Sequence, residues 1–200
     1  MEQLHPDPQQ ASGRRMLLLL LVIFALPVVL VVGMYKIDWR PSSGASYGQL
    51  QQPPKPLTLA ALQDARGGTF AAADWKDKWT MLTISAQGCP ADCMKRLGVM
   101  RQVHVALNKE IGRVQRVLLL PSGAPDGVIR TLRESYPDLH VLIGSGTEEL
   151  SRQFDVSGAG DGGIFLVDPL GNWMMSYPRQ FDAKGLLSDL QRLLKYSWVG

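Results

Sequence analysis

The chain opens with an apolar block that no charge interrupts. Met16 to Tyr35 reads MLLLLLVIFALPVVLVVGMY. As a helix these twenty residues would span about 30 Å, the thickness of a bilayer core. Pro27 falls inside it, and membrane helices tolerate proline. Arg14 and Arg15 precede the block, while Lys36 and Arg40 follow with Asp38 between them. The bias predicts a cytoplasmic tail at 1–15, an anchor at 16–35 and an exported C-terminal part. A cleaved signal peptide is the rival reading, but no small-x-small cleavage pattern follows closely.

Beyond the anchor the rhythm changes. Pro41 to Pro56 is rich in Ser, Gly, Gln and Pro, and residues 36–56 read as a linker. The folded domain is expected from residue 57 to 200. Leu57–Leu62 predicts a strand, Arg66–Thr69 a turn, and WTMLTIS at Trp79–Ser85 a buried strand. Cys93, Leu97, Met100, His104, Leu107 and Ile111 draw one stripe at helical spacing, with Pro90 at the start and Gly112 at the end. Strands are expected at Val114–Leu120 and Leu139–Ile143, with helices at Asp126–Tyr136 and Thr147–Phe154. Ile164–Val167 and Trp173–Ser176 predict a hairpin around Asp168–Gly171, and Asp182 caps a last helix. Alternating strands and helices followed by a hairpin and a helix imply an α/β domain with a mixed central sheet.

An apolar content of 46% excludes a disordered chain, and a net charge of +3 is too weak a field to argue for nucleic acid. There is no phosphate-cradling glycine motif. The chemistry concentrates at Cys89 and Cys93, the only cysteines. They sit as Cys-Pro-Ala-Asp-Cys between a predicted strand and the long predicted helix. That spacing puts the sulfurs one helical turn apart, able to close a disulfide or to hold a soft ion such as Cu(I). A staple across so short a loop would gain little chain entropy, which favours a redox-active or metal-binding pair. At a helix N-terminus the dipole stabilises thiolate over thiol. Cys89 is expected to be the exposed nucleophile and Cys93 the buried resolving partner.

Gly88-Cys89-Pro90-Ala91-Asp92-Cys93 and Ile164-Phe165-Leu166-Val167-Asp168-Pro169-Leu170-Gly171, behind a membrane anchor, resemble the Sco/SenC family. The resemblance covers roughly Gly48 to Leu194. It implies a thioredoxin-like fold and a membrane-tethered copper chaperone or thiol reductase that helps build the copper centre of cytochrome c oxidase. It also implies a periplasmic domain on the inner membrane, with an oxidase subunit or its assembly factors as partner. Cys89 and Cys93 are then both the redox pair and the copper ligands.

Two departures matter. Met94 stands where the family commonly has proline. Where the family supplies its third copper ligand, a histidine just before the late hairpin, this chain has a glycine-rich loop, and that place falls at about Gly160. His5 lies before the anchor. His104, eleven residues past Cys93, would be about 16 Å along the helix and reads as a core histidine. His140 reads as structural. Met94, Met174 and Met175 carry soft sulfur but read first as packing residues, and Asp161 as a turn residue. Two thiolates can still hold Cu(I), more weakly than a three-ligand site, so thiol–disulfide exchange is expected to outrank copper carriage. The alternatives are a general periplasmic oxidoreductase and a non-catalytic docking factor. For the latter, Lys95, Arg96, Arg101, Lys109, Arg113 and Arg116 could meet an acidic partner, although a solvated helix face is the plainer reading.

Overall fold

The computed structural model describes residues 8–36, 46–154 and 161–197, in two compact units: Met1–Ala45 and Ser46–Gly200. The first unit contains one helix, α1 (Pro8–Lys36). Its stretch Gly13–Lys36 is long and apolar enough to cross a membrane. Residues 8–15, expected in the tail, already belong to this helix.

The second unit is built on one eight-stranded sheet. Its strands are β1 (Gln49–Pro56), β2 (Leu62–Asp64), β3 (Gly68–Phe70), β4 (Trp79–Ile84), β5 (Val114–Leu119), β6 (Leu139–Ile143), β7 (Ile164–Val167) and β8 (Asn172–Tyr177). The order across the sheet is β1-β8-β7-β4-β5-β6-β2-β3. β4, β5 and β6 run parallel; the other pairings are antiparallel. The mixed α/β sheet expected from the sequence is therefore the architecture found, and the fold is thioredoxin-like.

Every residue of β4, β5 and β7 is buried. Central strands covered on both faces read as continuous apolar runs, which is why WTMLTIS was legible. Trp79 and Met81 of β4 face one core, shared with the helices α2 (Ala91–Ala106) and α5 (Ala183–Tyr196). Leu132 of α3 (Asp126–Ser135) joins the same core. Leu82 and Ile84 face the other core, where Phe154, Phe165 and Trp173 meet ring to ring beside Leu150 of α4 (Ser145–Gln153). The period-two alternation sorts neighbouring residues into different layers.

Three local expectations change. Gln49–Pro56, expected as spacer, is the edge strand β1, paired antiparallel with β8. Its prolines are compatible with an edge, where one row of amides needs no partner. Leu57–Ala61 is not a strand; the strand begins at Leu62. The long helix ends at Ala106 rather than near Gly112, and a 3-10 turn covers Asn108–Arg113. Asn108 takes the left-handed conformation (φ 52°), which asparagine tolerates and a continuing helix does not. Ile111 is consequently exposed instead of closing the apolar stripe. Asp182 caps α5 as expected, accepting the Lys184 and Gly185 amides.

Candidate functional site: a dithiol at the end of the central strand

β4 ends at Ile84 and the chain turns through residues 85–90 into α2. Ser85 and Gly88 close the turn: the Ser85 hydroxyl donates to the Gly88 carbonyl. Gly88 has φ 78°, a conformation that costs a side-chain-bearing residue, and it delivers Cys89 to the mouth of the helix. Pro90 occupies the helix N-cap without a side-chain cap, and Cys93 sits in the first turn. Cys89 and Cys93 are joined in a disulfide, with Cα atoms 5.1 Å apart. Cys89 is 9% exposed and Cys93 1%: Cys89 is the more accessible of the two, but it is buried rather than exposed as expected, because it packs into the core shared with α2.

β7 runs antiparallel to β4, with Thr83 opposite Ile164. The start of β7 therefore lies beside the end of β4, and the loop before β7 reaches the cysteine loop. Ala86 N–H donates to Asp161 Oδ1 at 3.0 Å, and Gly162 N–H donates to the Ile84 carbonyl at 3.1 Å. Asp161 is thus a tie between the two loops. The place predicted for the absent family histidine, about Gly160, lies outside the described residues.

Arg96, read from the sequence as part of a solvated face, is instead buried, 7% exposed. It lies three residues after Cys93, on the same side of α2. Its Nε donates to Thr83 Oγ1 at 3.1 Å, and that hydroxyl donates to the Gly163 carbonyl at 2.9 Å. Gly162 has φ 93°, and a Cβ there would stand 2.8 Å from Arg96 Nη1. Burial, and then the nearby Arg179 charge, push the Arg96 guanidinium below its ordinary pKa, while Asp161 and Asp92 act in the opposite direction. Arg116 is also buried, ion-paired with Asp138 at 2.6 Å. The six cations considered for docking therefore do not form one solvated face.

The other candidate ligands go elsewhere. His104 Nε2 lies 2.8 Å from the Val114 carbonyl and 3.0 Å from that of Ile111, a structural histidine as expected. His140 Nδ1 lies 3.0 Å from Asp64 Oδ2, next to Arg66, also structural. Met175 is packed in the core opposite Leu166. Met174 lines a groove with Trp79, at the end of β4 opposite the cysteines. Met94 is half-buried beside Cys93, and its carbonyl accepts the Tyr136 hydroxyl at 3.2 Å. Among the described residues, no three His, Cys, Asp or Glu side chains converge as a metal site. The two cysteine sulfurs, once reduced, are soft donors that fit two-coordinate Cu(I) and not a nitrogen-preferring Cu(II) site.

Sequence reasoning missed Arg96 and Arg179 as parts of this site. Arg179 Nη2 pairs with Asp92 at 2.8 Å, bringing the segment before α5 against the first turn of α2. The signal for Arg96 was present: positions 93, 96, 97 and 100 share one helical face, and three of them are apolar.

The arrangement defines a thioredoxin-like protein with its cysteine pair at the strand–helix junction. Residues 79–197 match the family model of the transmembrane-like, thioredoxin-like C-terminal domain, and the chain belongs to that family. Its fold is that of Sco proteins, in line with the Sco/SenC resemblance of its sequence. The solution structure of apo Sco1 from Thermus thermophilus superposes with a TM-score of 0.60 at 22% identity, covering 76% of this chain and 99% of that one. Yeast Sco1 with copper bound gives a TM-score of 0.61 at 16% identity, covering 72% and 91%. BsSco, a Sco-family cytochrome c oxidase assembly protein with a disulfide switch, gives 0.58 at 15% identity, covering 74% and 99%. No curated protein matches the chain by sequence.

Proposed function

We propose that this protein is a membrane-anchored thiol–disulfide partner in assembly of the cytochrome c oxidase copper centre. Its domain would face the periplasm from the inner membrane, held there by α1. The observation that carries the reading is the Cys89–Cys93 disulfide at the N-terminus of α2, in a sequence with no histidine at the place of the family's third copper ligand.

The step is an exchange. In the reduced protein the Cys89 thiolate attacks a partner disulfide, forming a mixed disulfide and releasing one partner thiolate, which takes up a proton. Cys93 then attacks Cys89 Sγ, closing the intramolecular disulfide and releasing the second partner thiolate. Two electrons pass from this dithiol to the partner. The α2 dipole favours the thiolate form in both steps. Yeast Sco1 and Arabidopsis thaliana ScoI have been seen with copper bound. Copper would be cargo here, as Cu(I) held between the two thiolates of the reduced protein. The buried Arg96 charge opposes a second cation nearby, which supports ranking exchange above copper carriage.

The test is a Cu(I) titration of the reduced full chain in detergent against a competing chelator, together with its rate of reduction of a model disulfide. Reduction with weak Cu(I) binding supports the proposal; binding as tight as a three-ligand site, without exchange, overturns it. Changing both Cys89 and Cys93 to Ser separates exchange from docking, because a docking factor would still support oxidase assembly.

A further inference from the structure

Along the first half of α2, the helix that carries Cys93, is a cleft of about 310 Å³ whose lining includes Asp92, Lys95, Arg96, Val99, Arg179 and Phe181. Three cations face one carboxylate. Asp92 is engaged with Arg179, and Lys95 is exposed. Arg96 is the unusual member. It is more than nine-tenths buried, yet of its five N–H donors only Nε has a partner among the described residues, Thr83 Oγ1. Neither Asp92 nor Asp161 hydrogen-bonds it. Arg96 lines the cleft, and an oxyanion there would gain charge-assisted bonds from its terminal nitrogens. The walls at Val99 and Phe181 would take the apolar stem of a side chain.

We propose that this cleft binds a carboxylate side chain of the protein partner, an acidic residue flanking the partner's reactive cysteine. It would hold the partner's sulfur over Cys89 during exchange. The location argues for a peptide carboxylate over a free anion: Asp92 and Arg96 bracket Cys93 along α2, so a ligand at this cleft is within a few residues of the sulfur pair. The inference deepens the exchange reading and rests on it for the identity of the partner.

The test uses the full chain in detergent micelles and two synthetic peptides, identical except that one carries Glu and the other Gln on both sides of the reactive position. With serine in place of cysteine, binding is measured by fluorescence anisotropy of the labelled peptide. The Glu peptide should bind at least about fivefold tighter, the scale of a partly buried charge pair. Arg96→Gln should abolish the preference and Lys95→Gln with Arg179→Gln should weaken it, while Arg101→Gln outside the cleft should preserve it; circular dichroism checks that each variant folds. Equal binding of the two peptides, a preference that survives R96Q, or one left at full strength by K95Q/R179Q, overturns the proposal. In a second arm the cysteine peptides are supplied as disulfide dimers to the reduced chain. Faster reduction of the Glu dimer supports the cleft, and equal rates contradict it while leaving exchange intact. A chain that reduces neither dimer contradicts the exchange reading, and the binding arm still decides the cleft.

Discussion

Asp161 Oδ1 accepts the Ala86 amide at 3.0 Å, tying the loop before β7 to the loop that presents Cys89. The tie follows from topology: antiparallel pairing of β7 with β4 brings those two loops to the same end of the sheet. A third element, α2, adds Arg96 against Gly162. The sulfur pair is thus framed by the loop and helix that carry it and by a segment 75 residues further along the chain.

Single cysteine substitutions should separate the two sulfurs. Cys89→Ser should reduce disulfide exchange below about 1% of the unaltered rate, because the more accessible of the two sulfurs, the proposed nucleophile, is gone. Cys93→Ser should keep the first attack and accumulate a mixed disulfide at Cys89. Mass spectrometry of acid-quenched reactions with a model disulfide reads both outcomes. Trapping at Cys93 in C89S, at equal rate, would reverse the assignment.

Gly162→Ala should destabilise the domain by about 1–3 kcal/mol. The residue has φ 93°, and its new Cβ would meet the Arg96 guanidinium. Urea unfolding followed by tryptophan fluorescence gives the shift in midpoint. An unchanged midpoint would mean that the loop and Arg96 are not packed as described.

Asp189 is a buried carboxylate on α5 whose Oδ2 accepts three donors: the Tyr47 amide at 2.8 Å, the Gly48 amide at 3.0 Å and the Tyr177 hydroxyl at 2.8 Å. Asp189→Ala leaves all three without an acceptor and should cost about 2–4 kcal/mol, read from the same unfolding curve. It should also loosen the entry to β1, measurable as faster amide exchange at Gly48.

Tyr177 supplies a pH dependence. Burial first, and then the hydrogen bond to Asp189 and its charge, push the phenol far above its ordinary value near 10. The folded state therefore holds the proton more tightly than the unfolded chain. Tyr177 contributes its full stability below pH 10, and that contribution falls as pH rises above 10. Tyr177→Phe should flatten the decline in unfolding free energy between about pH 10 and 11. An equal decline in both proteins would assign it to other groups.

Much of this was legible in the sequence because the strong signals are local. Buried parallel strands give unbroken apolar runs, so β4 and β5 stood out, and Asp168–Gly171 specified the hairpin turn. Cys-Pro-Ala-Asp-Cys marked the candidate site by its spacing. The parts that were not legible depend on pairing across the chain. β1 is a polar, proline-containing segment whose strand character comes from its partner β8. The break after Ala106 depends on Asn108 and on His104 turning to the Ile111 and Val114 carbonyls. Arg96 and Asp189 each sit among apolar residues on a helix face, a pattern visible at i, i+3 and i+4. The charges they carry pointed away from burial until Thr83 and Tyr177 were found beside them.

The most direct test is the reduction potential of the Cys89–Cys93 pair in the full chain, titrated against defined glutathione or dithiothreitol ratios and read by thiol alkylation. An exchange partner should titrate reversibly as a two-electron couple between about −120 and −270 mV. A pair that stays oxidised below about −300 mV would be a structural bond, which contradicts a role in thiol–disulfide exchange.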